Sequence, residues 1–375
     1  MFNRVTHWLE TRWITPAYSG WLLMAIAIFF FGAATNTLAG WLYVMSGVML
    51  ALLAIAATLP PRNLQGLKIS RQPIRPVSAG DALLIDLTIE NTTPRAKALI
   101  QVHDHLPPTL RKIQTQAIAA IRPNAIHHWR YEIPTQRRGI YHWQQVQLRT
   151  AAPLGLFWSS RYQAAIAKAV VYPTILPLTN CPLLDLMGKD DSYLWHQDQR
   201  AQSATEGLTR ALRPYRWGDP TRLIHWRTSA RYGELRVREL ENHTSGQTLT
   251  LGLDTTISWT NQAFEQAVIA LASLYVYALR VSIPTQIWTA RTGLLSEKIA
   301  ILTTLAAIHP SDSGTHGIPN HALIWLTQGD SNTRLPKGSR LIQWSTRTLS
   351  PETQPYPSLI IAADAPLQKQ LQRGI

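Results

Sequence analysis

A single cysteine in 375 residues, Cys181, excludes an internal disulfide and any zinc site built on thiolates. Charge is missing from one long stretch: no acid, base or histidine occurs from Trp13 to Pro61. Acidic residues are scarce overall, 22 against 36 Lys and Arg, which gives a net charge of +14. That balance points to an anionic neighbour: lipid headgroups, nucleic acid or an acidic protein. The marks of common catalytic sites are also lacking. There is no G-x-S-x-G elbow, no Walker A loop and no G-x-G-x-x-G turn. No nucleophile stands beside a legible base, so no enzymatic activity is expected. The hydrophobic fraction of 46% is enough for packed cores, and the length allows two or three domains.

The uncharged stretch holds two apolar runs, about 18–35 and 41–59, split by Asn36, Thr37 and Gly40. Nineteen helical residues reach roughly 28 Å, close to the thickness of a hydrocarbon core. A soluble helix rarely stays apolar all round for this length. Residues 1–65 therefore read as an N-terminal segment and a transmembrane helical hairpin. Trp8, Trp13, Trp21 and Trp41 sit near the ends of the runs, where indole favours the membrane interface. Arg4 and Arg12 precede the first run, and Arg62, Lys68, Arg71 and Arg75 follow the second, whereas the turn is uncharged. The positive-inside rule places both ends in the cytoplasm, with the chain multi-pass in the membrane. The competing reading is a cleaved signal peptide ahead of one anchor, with Gly32-Ala33-Ala34 as its small residues.

Residues 66–175 follow a period of two. In LLIDLTIE, Leu83, Ile85, Leu87 and Ile89 share one face and Asp86, Thr88 and Glu90 the other. Short runs of this kind, separated by Pro and Gly turns, predict a β-sandwich-like domain. Residues 176–246 read as a connector followed by an arginine-rich segment. Residues 247–375 alternate strand and helix: TLTLGLD ending at Asp254, a helical run from Gln262 to Arg280, then a strand at Ile283–Thr289 and others after it. This order predicts a parallel α/β sheet with crossover helices. The fold class is thus multidomain, with α and β parts.

The segment LRPYRWGDPTRLIHWRTSARYGELRVRELE, Leu212 to Glu241, is the most specific feature. Eight arginines fall from Arg210 to Arg238, with no lysine and two acids, Asp219 and Glu234. Arginine used alone, among Tyr215, Trp217, Trp226 and Tyr232, suggests guanidinium forks that pair carboxylates and stack on rings. The spacing R-x-Y-x-x-G-D-x-x-R-x-I-x-W runs through Arg213, Tyr215, Gly218, Asp219, Arg222 and Trp226, and Arg227 and Arg231 follow. Two readings stay open. In the first, Arg213, Arg222, Arg227 and Arg231 pair with Asp219, Glu234, Glu239 and Glu241 as a structural lock. In the second, the same forks form a partner- or anion-binding surface.

This spacing resembles the signature of the bacterial family called domain of unknown function 58. NTTPRAKALIQVHDHLPP, RRGIYHW and APLGLFW resemble the β-rich region that precedes it there. The sequence departs from the family pattern at His225, where an aspartate is usual, and at Pro214, commonly acidic. The resemblance implies a von Willebrand A-like α/β domain at 247–375. It also implies a metal motif, D-x-S/T-x-S, after the first strand. Asp254, Thr256 and Ser258 fit its three positions, and oxygen donors of this kind suit Mg²⁺ or Mn²⁺. The acidic residue expected after a later strand is replaced by Gln328, so the site is incomplete, and the bland reading is a polar turn that caps the next helix.

The resemblance further implies a MoxR-type AAA+ ATPase as partner, with the pair acting in protein assembly or maturation. The expectation is a membrane-anchored adaptor held in the lipid bilayer. Its rivals are nucleic-acid binding through the arginines, disfavoured by the anchor, and an unrecognised hydrolase.

Overall fold

Two long apolar helices open the structure, because nothing between Trp13 and Pro61 asks for water. The computed structural model describes residues 14–110, 113–185, 209–216, 221–240, 248–328, 334–344, 356–362 and 365–373. After a two-residue strand β1 (Thr15–Pro16), helix α1 covers Tyr18–Thr37 and α2 covers Gly40–Leu64. Leu38, in the left-handed region at φ 50°, ends α1 and lets the chain reverse. The helices meet through small residues. Ala27, Ala34 and Ser46 are fully buried, and the Ser46 hydroxyl donates to the Ala27 carbonyl at 2.9 Å. Large side chains point outward instead: Trp21, Phe29, Trp41 and Val48 are all exposed. Both helices are long and apolar enough to cross a membrane.

Contacts divide the chain into two units, Met1–Thr174 and Ile175–Ile375. The rest of the first unit is β-structure. Its strands are β2 (Leu67–Arg71), β3 (Val77–Ser78), β4 (Ala82–Asn91), β5 (Lys97–Asp104), β6 (Gln114–Ile121), β7 (Ile126–Pro134), β8 (Gly139–Thr150) and β9 (Phe157–Tyr172). One sheet runs β2-β4-β7, and the other runs β1-β9-β8-β5-β6 with β3 beside β9. The two share a core, in which Leu87, Ile89 and Trp129 from the first sheet meet Ile100, Val102 and Leu148 from the second. The alternation in β4 explains this, since Leu83, Ile85, Leu87 and Ile89 all face inward with no exposure.

A buried ion pair crosses between the sheets. Arg71 on β2 holds Asp104 on β5 with both arms of its fork, at 2.7 and 3.0 Å, and neither side chain is more than 1% exposed. The Tyr131 hydroxyl donates to the same carboxylate, and the Arg71 guanidinium lies over the Trp143 ring at 5.1 Å. Burial, then the Asp104 charge, pushes the Tyr131 phenol far above its ordinary value.

The second unit starts with a β-hairpin, β10 (Thr209–Pro214) and β11 (Arg236–Leu240), that encloses α3 (Trp226–Tyr232). It continues with β12 (Leu249–Leu253), α4 (Asn261–Arg280), β13 (Thr285–Thr289), β14 (Gly293–Leu295), α5 (Lys298–Ala307), β15 (Ile324–Gln328), β16 (Arg340–Trp344), β17 (Ser358–Ile361) and α6 (Leu367–Leu371). The sheet order is β14-β13-β12-β15-β16-β17, parallel except for β14 at one edge. α4 is also long and apolar enough to cross a membrane, yet it is mostly buried here. Phe264, Val268, Leu271 and Leu274 pack on Leu251, Leu253 and Ile324 in the main core. The opposite face of the sheet carries Trp288 and Trp325, whose rings lie 5.2 Å apart. Gly252 makes room for this pair, because a Cβ there would meet the Trp325 ring at 2.5 Å. The segment after Ile175 is part of this core: Leu178, Cys181, Leu183 and Leu184 are buried in it. Burial pushes the Cys181 thiol up to about 11.

Candidate functional site

The arginine-rich segment folds as a strand, a turn, a short helix and a returning strand. Arg213 opposes Val237 and Pro214 opposes Arg236 in the β10–β11 ladder, and the Tyr215 amide donates to the Leu235 carbonyl at 2.8 Å. A 3-10 turn at Thr221–Leu223 leads to Ile224, which bridges back to Val237. His225 then caps α3. Its Nδ1 accepts from the Thr228 amide at 3.2 Å and lies 2.7 Å from the Thr228 hydroxyl. That role needs a lone pair on Nδ1, so the ring proton sits on Nε2. Aspartate is a favoured residue at a helix N-cap for the same reason, so His225 does here what an aspartate at this position would do. Gly233, at φ 71°, ends the helix. Ser229 ties the helix to the strand: its hydroxyl accepts from the Arg236 amide at 2.9 Å and donates to the His225 carbonyl at 3.1 Å.

The outer face of this element is apolar and aromatic. Trp226 is 64% exposed, Tyr232 61% and Leu235 44%. With Ser229, Ala230, Gly233 and Glu234, Trp226 and Leu235 line a shallow hollow. Arg236 lies over the Tyr232 ring at 4.4 Å and pairs with Glu234 at 2.6 Å. Glu234 thus pairs with Arg236, a residue outside the expected set. Arg227 and Arg231 are exposed and make no ion pair with a described residue. Arg213 is half-buried and donates to the Pro214 carbonyl at 3.3 Å. Gly218, Asp219 and Glu241 lie outside the described residues, as do the side chains of Arg222 and Glu239.

The candidate metal motif sits at the carboxyl end of β12. Asp254 is 1% exposed, while Thr256 and Ser258 are exposed. The carboxylate Oδ1 accepts from both the amide and the hydroxyl of Thr256, at 3.1 and 2.7 Å, and Oδ2 lies 3.5 Å from the Thr327 hydroxyl. One carboxylate and one hydroxyl thus meet. Gln328 does not join them: its Oε1 accepts from the Thr260 amide at 2.7 Å, where α4 begins. Asp330 lies outside the described residues. Among the described residues, no three or more His, Cys, Asp or Glu gather in a metal-binding cluster.

Both candidates lie in the portion that has known relatives. Residues 211–318 match the family model described as "Protein of unknown function DUF58". The uncharacterized protein YeaD of Bacillus subtilis is 25% identical over 285 residues, which is 72% of this chain and 67% of that protein. Among solved structures, the CARDB domain of a Pyrococcus furiosus protein aligns with 29% of this chain and 94% of its own length, at 11% identity and a TM-score of 0.21. A β-glucosidase from Listeria innocua aligns with 28% of this chain, at 12% identity and a TM-score of 0.18. The chain spans only 16% of that enzyme. Likenesses this low assign neither fold nor function.

Sequence reasoning missed three parts of the matched region: helix α3, the capping role of His225 and the tie through Ser229. The letters S-A-R at 229–231 were the available signal, since a serine in a short helix whose hydroxyl bonds backbone often marks such a junction.

Proposed function

We propose that this chain is a membrane-anchored adaptor, with α1 and α2 crossing the bacterial inner membrane and the remainder in the cytoplasm. The observation that carries the reading is the exposed surface of α3, where Trp226, Tyr232, Arg227 and Arg231 stand clear of the core. Tryptophan, tyrosine and arginine are the residues that dominate protein–protein binding energy. A folded body has little reason to leave two large rings beside guanidinium groups that pair with no described residue unless a partner covers them. The cations favour a partner with an acidic surface. Resemblance to the domain of unknown function 58 family supplies its class, a MoxR-type AAA+ ATPase, and the task, assembly or maturation of other proteins. In this reading the α/β unit is von Willebrand A-like and acts by binding, without catalysing a reaction.

The test is capture of a purified MoxR-type ATPase by the full chain in detergent. The parent should retain it, and the Trp226→Ala/Tyr232→Ala variant should lose roughly thirtyfold or more in affinity, the scale of one strong interface anchor. Equal capture by the two proteins would remove the docking face. No capture by either, with and without nucleotide and Mg²⁺, would remove the partner.

A second reading concerns metal. The 2.7 Å approach of the Thr256 hydroxyl to Asp254 favours a weak site in which Asp254, Thr256 and Ser258 supply oxygen donors to Mg²⁺ or Mn²⁺.

A further inference from the structure

The foot of α2 gathers cations that no carboxylate answers. Arg62 stands in its last turn, three residues past the half-buried Leu59, about 4.5 Å of helix rise. The Lys97 ammonium, at the start of β5, donates to the Arg62 carbonyl at 3.0 Å and is 6% exposed. Asn63 fastens the same turn to β5 and β8, donating to the Ala98 carbonyl at 2.7 Å and to the Thr150 hydroxyl at 3.3 Å. Burial, then the nearby charges of Arg95 and Arg161, lowers the proton affinity of Lys97. Among the described residues, none of the four cations makes an ion pair. Arg62, Arg95 and Arg161 are exposed.

The same end of the unit is built into the apolar helices. The turn between β8 and β9 packs against them: the Ala17 amide donates to Leu156 at 2.8 Å and the Ser19 hydroxyl to Gly155 at 2.9 Å. Phe157 joins Leu53 and Ala56 of α2 in a small core that Leu23 and Met24 of α1 complete. Gly20 is required at this junction, because a Cβ there would meet the Leu156 carbonyl at 2.2 Å. Leu154 at the tip of the turn stays 46% exposed. Positive charge that pairs with no described acid therefore stands about two helical turns from Ile55, whose side chain faces outward. An acidic protein has no use for the apolar rim, and a nucleic acid has none either. A lipid offers phosphate and acyl chain in that same order.

We propose that Arg62, Arg95, Lys97 and Arg161 form a binding site for the phosphate of an anionic phospholipid headgroup. The site rests on the reading of α1 and α2 as membrane-spanning. An occupied site neutralises the repulsion around Lys97 and fixes the β unit against one leaflet.

The full chain, purified in detergent, is mixed with phosphatidylglycerol or with phosphatidylcholine, and bound lipid is counted by native mass spectrometry. Phosphatidylglycerol should be retained in preference, and Arg95→Gln/Arg161→Gln should weaken its retention roughly thirtyfold, about fivefold for each charge lost. Both arginines are exposed, so the double variant should melt with the parent; if it does not, Arg161→Gln alone carries the comparison at about fivefold. Equal retention of the two lipids, or equal retention by parent and variant, overturns the proposal. Displacement of phosphatidylglycerol by millimolar inorganic phosphate would make the site one for free phosphate and overturn it as well. Carbonate washing of membranes that carry the chain separates the two layers of the argument. A chain that resists extraction but shows no lipid preference loses this site alone. A chain that is extracted loses both the spanning helices and the site.

Discussion

His225 and Asp254 show how far one side chain can be read from its neighbours. At position 225 the departure from the family's aspartate was visible, but not its meaning, since capping depends on a bond to an amide three residues on. The structure supplies that bond. His225→Ala should destabilise the α3 hairpin by about 1 kcal/mol, whereas His225→Asp should keep the cap. Urea unfolding of the three proteins checks this, and an alanine variant as stable as the parent would deny the cap any weight. Asp254 was legible as a strand-end carboxylate, and Gln328 as a missing charge. That Gln328 instead holds the first turn of α4 depends on a contact 68 residues away in sequence, which no spacing rule reveals. If the metal reading is right, Mg²⁺ or Mn²⁺ raises the melting temperature of the parent and leaves Asp254→Ala unmoved, by simple mass action. Equal shifts in both proteins would remove it.

At the scale of elements, legibility followed the strength of the local pattern. The apolar runs 18–35 and 41–59 correspond to helices Tyr18–Thr37 and Gly40–Leu64. The second extends further because Pro60, Pro61 and Arg62 read as an ending, whereas the helix carries through them to Leu64. Strand β4 was plain, since its alternation is complete. Strand β6, QTQAIAAI, and the first half of β9 were not. Alanine and glutamine fill most of β6, and serine, arginine and glutamine interrupt the aromatic positions at the start of β9, so both segments form strands because partners in the sheet complete their hydrogen bonds. The Arg71–Asp104 clamp was illegible for the same reason, as it joins two strands 33 residues apart. It gives a sharp expectation. Asp104→Ala leaves a buried, unpaired guanidinium and should cost about 3 to 5 kcal/mol, while Arg71→Met/Asp104→Leu should recover most of that loss. Denaturant unfolding of both variants measures the difference, and a double variant no better than the single would show that the clamp's value lies in its geometry rather than in avoiding a stranded charge.

For the whole molecule, composition set the frame: a long stretch with no charge, an excess of arginine elsewhere and no catalytic motif. These features pointed to an anchor and a binding body before any fold was known. The two proposals rest on the exposed rings of Trp226 and Tyr232 on α3 in one unit and on the cations at the foot of α2 in the other. The central claim is that α1 and α2 hold this body on the cytoplasmic side of a bilayer. Protease added to intact spheroplasts, and in parallel to inverted membrane vesicles, tests it most directly, with a tag after Ile375 as readout. The account predicts full-length tagged protein in spheroplasts and digestion of the α/β unit in inverted vesicles; digestion in spheroplasts with protection in the vesicles would contradict it.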